Sequence, residues 1–326
     1  MRVFITGATG FIGGALARAL IGAKAEVHVL ARPSSDRSSL ADIPVIWHEG
    51  DITRPETLRN QFTGMDAVIC AAGKLGQAGV PEAVYQRLHV EGTRNVLNEI
   101  SSLRELPRVL YVSSPGVLGP TGRLPLTEDA PYRPSNMYER SKAAGEQVAK
   151  EFASQGLPVI IVRPEFVYGP GDLHVLRLFQ NVQSGRFFYV DGGKHLCHPT
   201  FIDDAVQGLI LCLQAGAPGE VYHITGLQAV TFRDLVETMA RAMGVNNPKL
   251  SLPRSLAMLG AGGMEALGRI LHVTPPIGRE GVAFFGDDRT FSWQKAHREL
   301  GYTPHYDLSA GIARTVAWYR ERDLIR

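Results

Sequence analysis

The sequence is poor in sulfur. Its 326 residues include three cysteines, Cys70, Cys197 and Cys212. They are too few and too widely separated for a disulfide framework or a four-thiolate zinc site, and they point to a reducing, cytoplasmic setting. Charge of one sign is also lacking: 34 basic against 32 acidic side chains leave a net charge of +2, so nothing electrostatic calls for nucleic acid as a partner. A membrane span is not expected. The most apolar late stretch, 256–271, contains Glu265, Arg269 and four glycines and is too short and interrupted, so it reads as a buried or interfacial helix. No secretory leader is expected either, because Met1-Arg2 runs straight into Val3-Phe4-Ile5-Thr6. Internal repeats, low-complexity tracts and a G-x-S-x-G elbow are absent, which leaves a serine hydrolase without support. His174, His195, Cys197 and His198 lack the short, regular spacing of metal ligands, so no metal is expected.

What is present is ordinary globular material, 44% apolar and 20% charged. The length allows one large domain or two modest ones. Apolar runs at 2–6, 26–31, 45–48, 67–71, 108–113 and 159–163 read as strands. Helical patterns at 11–21, 56–62, 80–100 and 136–155 alternate with them. That alternation predicts an α/β fold, a doubly wound parallel sheet with a smaller, discontinuous C-terminal substrate-binding region. The expected division is 1–171 for the dinucleotide-binding domain and 172–326 for the substrate region. Within the latter, 200–226 returns to the core as a helix at 202–213 and a strand at 219–225.

The first strand runs into Thr6-Gly7-Ala8-Thr9-Gly10-Phe11-Ile12-Gly13 and then a helix. Gly7 permits the tight turn, Gly10 lets the backbone approach a pyrophosphate, and Gly13 lets the helix pack on the strand. The pyrophosphate then meets the positive helix end. The spacing G-x-x-G-x-x-G is one residue longer than the usual dinucleotide fingerprint. At the end of the second strand, where an acid would bind the ribose of NAD, stands Arg32, followed by Ser34, Ser35 and Arg37. An arginine suits a ribose phosphate, so NADP is preferred over NAD; stacking of Arg32 on the adenine of either cofactor is the alternative. Asp51, after Gly50, either accepts from the adenine amino group or caps a helix before Pro55.

Tyr138 and Lys142 stand four apart on a predicted helix and share a face. A neighbouring ammonium lowers a phenol's pKa, making Tyr138 a usable general acid or base. The pair follows Ser113-Ser114 by 24 residues, and that serine pair ends a predicted strand, at the edge where such sheets bind ligands.

This set, Thr6-Gly7-x-x-Gly10-x-x-Gly13 with Ser114 and Tyr138-x-x-x-Lys142, resembles the extended short-chain dehydrogenase/reductase family, also called the NAD-dependent epimerase/dehydratase family. Further matches are Asp51 and Ile52, Ala71-Ala72-Gly73, Gly92-Thr93-x-Asn95, Arg163-Pro164, Val167-Tyr168-Gly169-Pro170-Gly171-Asp172, Asp203-Asp204, Tyr222-His223-Ile224-Thr225 and Leu300-Gly301-Tyr302. The resemblance implies hydride transfer at a secondary alcohol or ketone. Tyr138 would shuttle the proton, Ser114 polarise the oxygen, and Lys142 hold the nicotinamide ribose. Ser114 rather than Ser113 takes the catalytic place, five residues before Gly119. Thr9, Phe11, Ile12, Ile52, Ala71, Ala72, Gly73 and Pro164 would join the cofactor site. The helices at 80–100 and 136–155 would form a homodimer bundle.

The departures bear on the substrate. Phe166 stands where many nucleotide-sugar members carry Asn, no Arg lies near Cys197-His198, Leu118 replaces a Tyr, and His89 replaces an Asn. Such losses disfavour a diphosphate substrate, whose unpaired oxygens would be costly in a closed site. The expected substrate is a small molecule, a less polar ketone of steroid, flavonol or acyl type, touched by Leu118, Phe166, Tyr168, His174 and His198. The apolar, glycine-rich segment 252–276 fits that reading. Alternatives are a nucleotide-sugar epimerase/dehydratase with a transient keto intermediate and a non-catalytic, redox-sensing dinucleotide-binding module. Asp203 is expected to cap the helix that follows.

Overall fold

The computed structural model describes residues 1–77, 79–271 and 278–326. Its centre is a seven-stranded, all-parallel sheet. In chain order the first elements are β1 (Arg2–Thr6), α1 (Phe11–Gly22), β2 (Glu26–Ala31), β3 (Ile46–Glu49), β4 (Ala67–Cys70), α2 (Glu82–Tyr85), α3 (Gly92–Ser101), β5 (Arg108–Val112), α4 (Met137–Ser154) and β6 (Val159–Pro164). Short strands β7 (Val167–Tyr168), β8 (Tyr189–Val190), β9 (Leu196–Cys197) and β10 (Thr200–Phe201) follow, with α5 (Leu176–Gln183) among them. Then come α6 (Ile202–Ala215) and β11 (Val221–Ile224). The strand order is β11-β6-β5-β4-β1-β2-β3. The order reverses between β1 and β4, and such a switch point opens a crevice at the strands' carboxyl ends.

Period-two alternation decides which face each strand residue covers. Val3, Ile5, Val27, Val29, Ala67, Ile69, Leu110, Val112, Ile160 and Val162 pack on one side with Leu16, Ala17 and Leu20 of α1 and Leu209 of α6. Phe4, Leu30, Val68, Cys70, Val109, Tyr111, Val159 and Ile161 pack on the other with Val96, Leu97 and Ile100 of α3 and Val148, Ala149 and Phe152 of α4. Both faces are buried, as a parallel sheet requires, and each buried Val, Leu, Ile or Phe side chain contributes about 1.5–3 kcal/mol. Asn136 starts α4 by accepting the Glu139 N–H at 2.9 Å, a cap of about 1 kcal/mol.

Two expected helices differ. The stretch 56–62 makes only a 3₁₀ turn at Pro55–Thr57; Asn60 takes φ +60° and ends any helical path. The stretch 80–100 starts later, after Pro81, and contains a π-helical segment at Gln86–Glu91 between α2 and α3. The chain after β11 runs through α7 (Phe232–Met243), α8 (Arg254–Leu271), α9 (Arg279–Gly286), α10 (Gln294–Leu300) and α11 (Leu308–Arg320). Ala257 and Ala261 of α8 are buried while Leu256, Leu259 and Leu267 are exposed, so this helix packs one side inward and presents leucines on the other. Residues 272–276 of the apolar segment lie outside the described residues. Among the described residues no helix is long and apolar enough to cross a membrane.

Candidate active site

The glycine turn sits at the switch point. Gly7 has φ +80°, and a Cβ there would lie 2.5 Å from the Ala72 nitrogen. A Cβ on Gly13 would strike the Gly7 carbonyl. Gly10 is different: a Cβ would meet only the Gly7 oxygen, at 3.3 Å. Gly10 is exposed and caps α1 with no side-chain hydrogen bond, and the first turn holds no acid. The open backbone N–H groups with Thr9, Phe11 and Ile12 around them therefore fit an anionic pyrophosphate. Ala71, Ala72 and Gly73 continue β4 directly beneath this turn.

Arg32 follows β2 and is exposed; its N–H donates to Ser35 Oγ at 3.2 Å. Arg37 is engaged elsewhere, with its guanidinium carbon 5.0 Å from the centre of the Trp47 ring. Asp51 Oδ1 accepts from the Thr53 N–H at 2.9 Å and hydroxyl at 2.8 Å. It therefore closes a local turn and does not cap the Pro55 turn, which begins at Arg54 without a side-chain cap. Ile52 is buried, and its carbonyl accepts Asn95 Nδ2 at 2.9 Å.

The two serines separate cleanly. Ser113 Oγ donates to Glu146 Oε2 at 2.5 Å and is buried. Ser114 begins the short 3₁₀ turn Pro115–Leu118, accepts the Gly116 N–H at 3.2 Å and lies near enough to the Tyr138 phenol to lower its pKa. Tyr138 lies in the first turn of α4. Burial pushes its phenol well above the ordinary range, Ser114 pulls it back, and Glu165 and Glu139 add to the rise. This is the reverse of the expected depression by Lys142. That lysine reaches toward the sheet, where Nζ donates to the Val112 carbonyl at 2.7 Å and stands 5.2 Å from the Tyr111 ring centre. Burial lowers its pKa to about 8, with Glu146 opposing.

Sequence reasoning missed the groups that hold this set in place. Glu146, one turn after Lys142, is fully buried and accepts from Arg163 at 2.6 and 3.1 Å and from Tyr132 at 2.6 Å. The repeated four-residue spacing Tyr138, Lys142, Glu146 was the available signal. His89 Nε2 accepts the Lys74 N–H at 3.0 Å, so Nδ1 carries the proton and donates to Ser141 Oγ at 2.8 Å. Ser141 in turn donates to the Tyr138 carbonyl at 2.7 Å. Burial lowers the His89 pKa to about 3, so it acts as a neutral post within the π-helical segment. Its ring meets Tyr138 edge-on at 5.8 Å.

The expected substrate contacts divide. Phe166, half-buried at φ +34°, packs against Phe284 with ring centres 5.5 Å apart. His198 is buried: Nε2 donates to the Gly226 carbonyl at 3.0 Å, Nδ1 has no partner, and burial lowers its pKa to about 4. His174 is exposed beside Asp172. Leu118 is wholly buried among Val117, Ala143 and Phe291. Tyr168 is 3% exposed and packs on Phe201 at 5.8 Å. Both are packed inward; Tyr168 also borders a small cavity with Pro199, Leu227 and Tyr306. Pro164 is buried at the end of β6. His195 pairs with Asp288 and Asp191 at 3.4 and 3.6 Å. Among the described residues no cluster of three or more His, Cys, Asp or Glu is placed to hold a metal. Asp203 does not cap α6, which begins at Phe201 without a side-chain cap; it pairs with Arg314 at 2.8 Å.

Known proteins share this architecture. Residues 3–225 match the NAD dependent epimerase/dehydratase family. A 4-hydroxy-2-methyl-3-oxo-4-farnesyl-3,4-dihydroquinoline-1-oxide ketoreductase of Stigmatella aurantiaca is 30% identical, covering 96% of this chain and 95% of its own. A 2-alkyl-3-oxoalkanoate reductase of Stenotrophomonas maltophilia is 28% identical, covering 97% and 99%. The solved dTDP-glucose 4,6-dehydratase of Streptomyces venezuelae, with NAD bound, superposes with a TM-score of 0.80 at 28% identity, covering 98% and 97%. With its seven-stranded parallel sheet, and with residues 3–225 matched by the family, the chain is an enzyme that belongs to the NAD dependent epimerase/dehydratase family.

Proposed function

We propose that this enzyme is an NADP-preferring reductase of a weakly polar ketone. The observation that carries the reading is that Ser114, which acts on the Tyr138 phenol, follows β5 while Phe166, packed on Phe284, follows the neighbouring strand β6. Gly7, Thr9, Gly10, Phe11, Ile12 and Gly13 would hold the pyrophosphate, and Arg32 the ribose phosphate. Asp51 and Ile52 would lie toward the adenine. Ala71, Ala72, Gly73, Lys142 and Pro164 would lie toward the nicotinamide half. The bound dinucleotide supplies the hydride. Ser114 donates a hydrogen bond to the substrate oxygen, and Tyr138 gives that oxygen its proton. A phenol held protonated by burial suits this proton-donating direction, the reduction of a ketone. Lys142 remains a cation below a pH of about 8.

Phe166 supports an apolar substrate, because an aromatic ring offers no donor to a diphosphate. The names of the ketoreductase and oxoalkanoate reductase relatives agree with that choice. The dehydratase likeness favours the second reading, a nucleotide-sugar epimerase or dehydratase. A thermal-shift screen across β-keto acyl compounds, steroids and nucleotide sugars separates them. Stabilisation of the NADPH-loaded enzyme by the first two groups is expected, and stabilisation by a UDP- or dTDP-sugar alone would overturn the reading.

The region after 171 serves in this proposal as the substrate-binding part, with α6 and β11 returned to the sheet. Three free, buried cysteines suit a reducing, cytoplasmic setting. A homodimer through the outer faces of α2, α3 and α4, where Val84 is 42% exposed, completes the proposal.

A further inference from the structure

One buried carboxyl whose charge reaches Tyr138 has no task in the reaction so far described. Glu165 follows Pro164 at the end of β6, and its backbone is fixed on both sides. Its N–H donates to the Ile224 carbonyl at 3.0 Å, and its own carbonyl accepts Thr200 Oγ1 at 2.6 Å. The residue is 6% exposed. Among the described residues nothing donates a hydrogen bond to its carboxylate and no ion pair holds it.

The other buried glutamates among the described residues are all engaged. Glu139 holds Arg289 at 2.7 Å and Ser135 Oγ at 2.8 Å. Glu146 holds Arg163 and Ser113, and Glu128 accepts the His223 N–H at 2.9 Å. The groups that feel the Glu165 charge, or act on it, are Tyr138, Cys197, Arg289 and Glu139. Arg289 is already paired with Glu139, and its buried Nε has no partner. Burial pushes the Glu165 carboxyl up to about 8, with Arg289 pulling down and Glu139 pushing further up. A carboxyl neutral at neutral pH is a donor as well as an acceptor, and a neutral acid in an apolar site can donate to a substrate oxygen.

Resting on the reading of Tyr138 as proton donor, we propose that Glu165 is a specificity-determining residue: its carboxyl donates a hydrogen bond to a second, uncharged oxygen placed near the reacting ketone, as in a 1,3-dicarbonyl compound. Such a substrate satisfies a group that the fold leaves unpaired. A simple ketone of the same length leaves the acid without a partner in a desolvated site, and discrimination by a missing hydrogen bond is large.

The test compares ethyl 3-oxobutanoate with 2-heptanone, which is matched in chain length and lacks the second oxygen function. It uses the full-length enzyme, Glu165→Gln and Glu165→Leu, with NADPH affinity measured for each. The unaltered enzyme is expected to prefer the dicarbonyl in kcat/KM, and the preference should fall as pH rises through about 8. Glu165→Gln keeps a donor and should keep the preference at every pH. Glu165→Leu should lose at least about tenfold of it while binding NADPH normally. An unchanged preference in Glu165→Leu overturns the assignment, as does a Gln variant as impaired as Leu with NADPH affinity intact. Turnover of neither ketone by the unaltered, NADPH-bound enzyme is the distinct failure of the reductase reading, and the assignment falls with it.

Discussion

Glu139, the residue after Tyr138, is ion-paired with Arg289 at 2.7 Å across 150 residues of chain, and both side chains are buried. The pair ties the segment after α9 to the first turn of the helix that carries Tyr138. Arg289→Met leaves Glu139 buried and uncompensated, and a loss of about 3–5 kcal/mol is expected. Urea unfolding measures it. The double variant Arg289→Met/Glu139→Gln should recover part of the loss, because the orphaned charge is then gone.

Tyr138→Phe removes one hydroxyl and leaves the packing against His89 in place. Turnover should fall about a hundredfold or more, with NADPH affinity unchanged by fluorescence titration. A variant that kept its activity would remove Tyr138 from the reaction.

Buried histidines make the fold acid-sensitive. His89 and His198 are lowered from 6.5 to about 3 and about 4. Their neutral forms contribute stability that is fully present above 6.5. It is lost as pH falls toward those folded values, because the unfolded chain binds the protons first. The urea midpoint should therefore drop between neutral pH and about pH 5, and His198→Phe should make that drop shallower.

Glu165 works in the opposite direction. Its carboxyl is raised from 4.5 to about 8, so its contribution is present below 4.5 and is lost as pH rises through about 8. Glu165→Gln should consequently gain in thermal stability over the unaltered enzyme across that window and level off above it.

Arg32 is exposed at the end of β2, and among the described residues no ion pair engages it. Arg32→Glu should weaken NADPH binding roughly tenfold or more, about 1.4 kcal/mol, and improve NADH relative to it. Equal losses for both cofactors would instead mean that Arg32 stacks on adenine.

The sheet was legible because its strands are local apolar runs; observed ends fall within about two residues of those expected. The glycine turn was legible for the same reason, since its geometry is set by residues adjacent in sequence. What escaped depends on distant partners. The Glu146–Arg163 and Glu139–Arg289 pairs join residues far apart in the chain. The π-helical segment at His89 arises where α4 approaches closely, a Cβ on Gly145 being blocked by the His89 carbonyl. The burial of Leu118 and Tyr168 was likewise set by partners distant in sequence, Phe291 and Phe201. The fate of Asp51 turned on Thr53, two residues away, whose N–H and hydroxyl both compete for its carboxylate.

The central claim is net reduction of a ketone with exchange of the cofactor. It is tested most directly by following the absorbance of reduced nicotinamide when purified enzyme, excess NADPH and a β-keto ester are mixed. The account predicts catalytic loss of that absorbance with many cofactor molecules oxidised per enzyme. Conversion of a nucleotide sugar with no net change in absorbance, by enzyme that retains NAD through purification, would contradict it.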